Sequence, residues 1–68
     1  MIDQEFVVDY LRRHPGSTVG EIVTSLDPDR WDVGVLRRKA YSCCASLKKF
    51  RIIEGTEVDG VTRWQVVE

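Results

Sequence analysis

Arg30, Arg37, Arg38, Lys39, Lys48, Lys49 and Arg51 stand between residues 30 and 51, where Asp32 is the sole acid, so this stretch carries +6. Such a block has the chemistry to hold an anion. Guanidinium forks donate paired N–H bonds to phosphate or to guanine edges, and ammonium groups supply point charges. The flanks have the opposite sign. Residues 1–29 set six acids against Arg12 and Arg13, for −4, and residues 52–68 set four acids against Arg63, for −3. The overall charge of −1 is therefore a cancellation. A local basic stretch is better evidence for an anionic partner than the total.

Other reactive side chains are few. Cys43 and Cys44 are neighbours, and adjacent residues cannot staple a fold. On a helix they diverge by about 100°, so they do not converge on one ion, and no third thiolate exists. They read as small apolar residues in a reducing cytoplasm. His14 is the lone histidine; it suits the negative end of a helix, and no second imidazole completes a metal site. No nucleophile is paired with a base, no glycine-rich loop can cradle phosphate, and no acid pair has a credible pocket. Neither an enzyme nor a cofactor is expected.

The length of 68 residues allows one domain, 1–68. The 43% apolar content excludes wholesale disorder. No apolar run approaches a membrane span, and Met-Ile-Asp-Gln-Glu is no secretory signal.

Periodicity divides the chain into three helices and a hairpin, an α+β class. The first helix, about 3–13, places Ile2, Phe6, Val7, Tyr10 and Leu11 on one face. Asp3 caps it, Ile2 staples to Val7, and His14-Pro15-Gly16 stops it. The second, about 18–26, opens on the capping box Thr18-Val19-Gly20-Glu21 and buries Ile22, Val23 and Leu26. The third, about 33–50, carries Leu36, Ala40, Cys43, Cys44, Leu47 and Phe50 in a stripe roughly 120° wide. Either Asp32 caps it, or Asp27 with Pro28 starts a helical segment earlier. Arg38, Ser42, Ala45 and Lys49 point away from that stripe, with Arg37, Tyr41, Ser46 and Lys48 at its flanks. The hairpin, about 52–67, turns at Asp59-Gly60, because a type I′ turn needs positive φ at both positions. Ile53 then faces Val66, Gly55 faces Trp64, and Trp64 lies over the bare glycine backbone.

The order helix, short helix, long helix, hairpin resembles the winged helix-turn-helix family. Two stretches carry the likeness: His14-Pro15-Gly16-Ser17-Thr18-Val19-Gly20-Glu21-Ile22-Val23-Thr24-Ser25-Leu26, and Cys44-Ala45-Ser46-Leu47-Lys48-Lys49-Phe50-Arg51-Ile52-Ile53-Glu54. The resemblance implies that helix 3 is a recognition element laid in the major groove of double-stranded DNA. Arg38 and Ser42 match base-contacting positions, Arg37 and Lys39 flank them, and Lys48 and Lys49 reach phosphates. Thr18, with the amides of the second helix, and Arg63 on the wing are further phosphate contacts. Tyr41 packs on sugar or on a partner subunit. The implied protein is a small transcriptional regulator, and a homodimer on two half-sites would supply its specificity.

Three features depart from the family pattern. Arg51 stands where a glycine usually ends the recognition helix. Residues 27–33 lengthen the approach to helix 3. The wing tip, Glu57-Val58-Asp59-Gly60, is acidic and unsuited to lying near phosphate. Some winged-helix repressors bind soft metals through cysteines of that helix, and Cys43-Cys44 resembles them only loosely. The alternative function is a protein-interaction or dimerisation module without DNA contact. For that role Trp31, Ile52, Val58, Val61 and Val67 are apolar residues the core face does not consume.

Overall fold

The computed structural model describes residues 2–25 and 32–67. The chain runs α1 (Gln4–Arg13), α2 (Val19–Thr24), α3 (Val33–Lys49), β1 (Ile53–Val58) and β2 (Val61–Val66). Three helices followed by an antiparallel hairpin make a small α+β fold with the winged-helix layout. Expected features at Leu26, at Asp27-Pro28 and at Trp31 lie outside the described residues. Among the described residues no helix is long and apolar enough to cross a membrane.

Each helix begins where a side chain satisfies its first amides. Asp3 accepts from Phe6 N at 2.8 Å, and Ile2 and Val7 are both buried in the core, consistent with a staple. Thr18 and Glu21 form both halves of the capping box, at 3.1 and 3.2 Å. Asp32 caps α3 and accepts from Gly34 N at 2.8 Å and Val35 N at 3.3 Å.

The core joins all five elements: Ile2, Val7 and Leu11, Ile22 and Val23, Leu36, Ala40, Cys44 and Leu47, then Ile53 and Trp64. The expected α3 stripe holds with two changes. Cys43 is only half-buried, and Phe50 is 68% exposed rather than packed inside. The reason is geometric. Phe50 is the C-cap (φ −90°, ψ 6°) and keeps its helical bond to Ser46 O at 3.3 Å, so at 100° per residue it falls with Cys43 on one border of the stripe; Arg51 then turns left-handed at φ 59° and ends the helix. Arg51 N donates to Lys48 O at 3.0 Å and Ile52 N to Leu47 O at 2.9 Å, the paired bonds of a Schellman ending. A side chain in that conformation costs roughly 1–2 kcal/mol. Arg51→Gly is accordingly expected to stabilise the fold by about 1 kcal/mol in urea unfolding, and a loss of stability would show that the arginine side chain holds the helix end.

The hairpin register matches expectation: Ile53 faces Val66 and Gly55 faces Trp64. Asp59 and Gly60 have φ 53° and 80°, as the type I′ turn demands. A Cβ on Gly55 would sit 2.9 Å from Thr62 Cγ2 and 3.0 Å from Trp64 Cζ3, so the indole occupies the space a side chain would need. Sequence did not reveal a third partner. Trp64 N donates to Ser17 O and Gly16 N to Trp64 O, each at 2.8 Å, tying the α1–α2 connection to β2. Ser17 is buried there, and its hydroxyl donates to His14 O at 2.6 Å.

Candidate nucleic-acid interface

The described cationic side chains do not form one cluster; α3 distributes its own by its pitch. Its 17 residues span about 25 Å. Leu36, Ala40, Cys44 and Leu47 are buried on the inner side, and Arg38, Ser42, Ala45 and Lys49 are exposed. Those four follow steps of four, three and four, so they share one strip facing solvent. Arg38 and Lys49 lie about 16 Å apart along the axis, a length comparable to the width of a major groove.

Arg37 and Tyr41 form a second row one step around the helix, and both are exposed. With Thr18, Gly20, Val61 and Thr62 they border a groove of about 300 Å³ where the start of α2, the first half of α3 and the wing meet. The structure thus brings Thr18, Arg37 and Tyr41 of the expected set together and adds Gly20 and Thr62 to them. At the other end of α3, Lys48 lies beside Arg51, and both line a groove under β1. Arg51 belonged to the basic block but was not among the expected contacts.

Three expected contacts have internal partners. The Thr18 hydroxyl accepts from Glu21 N while Glu21 Oε1 accepts from Thr18 N, so a carboxylate already stands at the start of α2. Arg63 Nη1 donates to Gly16 O at 3.0 Å and lies 3.5 Å from Glu21 Oε1. It clamps the wing to the α1–α2 turn as well as being half-exposed to solvent. Lys39 is half-buried, and its charge acts on Cys43.

The two thiols sit in different surroundings. Burial, with a smaller contribution from Cys43, pushes the Cys44 thiol up to about 12. Burial also raises Cys43, Asp3 adds to that, and Lys39 opposes it. Both therefore carry their protons at neutral pH. Among the described residues no three histidine, cysteine or acidic groups gather as a metal site.

Other acids lie on α1 and on the hairpin. Asp3, Glu5 and Asp9 are exposed on or beside α1, where Asp9 pairs with Arg13 at 3.1 Å. Glu54, Glu57 and Asp59 are exposed on the hairpin, Glu54 accepting from Gln65 Nε2 at 2.6 Å. No family model, curated protein or solved structure matches the chain.

Proposed function

We infer that this chain is a winged helix-turn-helix protein that binds double-stranded DNA through α3, as a small transcriptional regulator. One observation carries this reading. The exposed side of α3 holds Arg38, Ser42 and Lys49 in a single strip, while the opposite side of the same helix is committed to the core. A helix so anchored presents its donors rigidly, which is what reading base edges requires. Arg38 is suited to guanine, Ser42 accepts or donates at either base, and Lys49 and Lys48 neutralise phosphate. Arg37 and Tyr41 extend the contact toward the groove under the wing.

The wing works differently from the helix in this reading. Glu57 and Asp59 repel phosphate, so the hairpin stands off the duplex and α3 supplies most of the affinity. Thr18 reaches phosphate only if Glu21 gives way. Two adjacent free cysteines fit a reducing compartment such as the cytoplasm.

A second reading, a protein-interaction module, draws on Ile52, Val58, Val61 and Val67, each 42–46% exposed. Salt separates the two. Four phosphate contacts imply that duplex affinity falls about 100-fold between 50 and 200 mM salt. Fluorescence anisotropy with a labelled duplex measures this directly. Absence of saturable binding at 50 mM, or binding indifferent to salt, removes the DNA reading and leaves the apolar wing as the working surface.

A further inference from the structure

Among the described residues the hairpin has one edge covered and one bare. Trp64 directs its N–H and C=O away from β1, to Ser17 and Gly16. In an antiparallel ladder its opposite residue, Gly55, then directs its own N–H and C=O away from β2, as do Ile53 and Glu57 two residues to either side. Among the described residues no backbone group of another element meets that outer edge of β1. A bare edge is a template for another strand.

We propose that β1 pairs antiparallel with β1 of a second copy, Gly55 on Gly55, forming a continuous four-stranded sheet across a twofold axis. The sequence along the edge is complementary to itself in this register. Ile53 stands opposite the second copy's Glu57, Glu54 opposite Thr56, and Ile52 opposite Val58, so no acid meets an acid. Only shifts by an even number of residues keep the outward groups facing each other. One such shift sets Glu54 against Glu54, the other removes Ile52 from Val58, and a shift of four sets Glu57 against Glu57.

Both faces of the joined sheet support the pairing. On the outer face Ile52 lies beside Val67, whose N–H donates to Ile52 O at 3.0 Å, and Val58 pairs with Val61. Dimerisation aligns Val67 and Ile52 with the second copy's Val58 and Val61 as one apolar row, and the twofold axis repeats it. These are four of the exposed apolar residues that the monomer leaves without a role. On the inner face the second copy's Glu57 projects beside Ile53, over a groove of about 300 Å³ whose cations are Lys48 and Arg51 and whose acid, Glu54, is already bonded to Gln65. The acidic wing thereby has a cationic counterpart on this molecule. The pairing stands on the hairpin alone and does not depend on what α3 binds.

Sedimentation equilibrium of the full chain from about 10 μM to 1 mM, with amide hydrogen exchange across the same range, tests it. The weight-average mass is expected to double as concentration rises, and the Gly55 and Glu57 amides are expected to become protected with it. Glu57→Lys is expected to raise the dimer dissociation constant at least tenfold, a loss on the order of one interfacial charge pair. Adding Arg51→Glu to it is expected to restore association. A native chain that stays monomeric to 1 mM overturns the proposal. So does a dimer whose Gly55 and Glu57 amides exchange as fast as in the monomer, or self-association that a folded Glu57→Lys leaves unchanged.

Discussion

Leu47→Ala is expected to lower the unfolding free energy by roughly 2–5 kcal/mol, the range for a buried leucine whose cavity cannot fully collapse. Leu47 is 2% exposed and lies in the cluster joining Ile2, Val7, Leu11, Ile22, Ile53 and Trp64. Its loss therefore opens a cavity in the one cluster that all five elements share. Its carbonyl also accepts the Ile52 amide that closes α3, so the helix end and the core loosen together. Domains of this size sit near the low end of the usual 5–15 kcal/mol, and the variant should populate unfolded chain at room temperature. Urea unfolding followed by circular dichroism measures the change. Ala45→Ser, an exposed position on the same helix, should stay within about 0.5 kcal/mol. A loss at Leu47 below about 1 kcal/mol would mean that α3 does not pack through this side chain.

The features legible in the sequence are those set by near neighbours. Asp3 and Thr18 cap helices because the amides they satisfy lie three residues away. The strand register follows from Asp59-Gly60, which admits only a two-residue turn and so fixes every pair behind it. Burial on α3 follows from its period wherever the helix continues. Phe50 is the exception, because the period places it at the border of the stripe and does not say where the core's edge falls, and the helix stop at Arg51 carries no sequence signal. With glycine at position 51 the stop would have been visible. The pairing of Ser17 with Trp64 is a single bridge, which leaves no alternation in the sequence. The site divides in the same way. Exposure of Arg38, Ser42 and Lys49 follows from helical pitch, whereas Arg63 takes partners 47 and 42 residues away, at Gly16 and Glu21. Long cations choose their partners by tertiary proximity, and composition does not encode it.

That distinction sets the largest functional effect expected of the molecule. Arg38→Ala with Lys49→Ala should weaken duplex binding roughly 10- to 1000-fold at fixed salt, because one bidentate base contact contributes about 1–3 kcal/mol and a phosphate contact adds to it. The salt slope should also become shallower by about one for each phosphate contact removed. Both side chains are exposed on the strip of α3 that carries no core residue, so the unfolding midpoint should hardly move. The comparison that decides the matter is Arg12→Ala with Arg13→Ala. It removes the same two charges from α1, where Arg13 already pairs with Asp9. If the net charge of the molecule governs binding, the two variants weaken it equally. If α3 is the recognition element, the α1 variant binds within about threefold of the native chain, since exposed charges beyond a Debye length of about 8–10 Å are largely screened. Equal losses in anisotropy titrations would reduce the interaction to diffuse electrostatics and remove α3 from its assigned role.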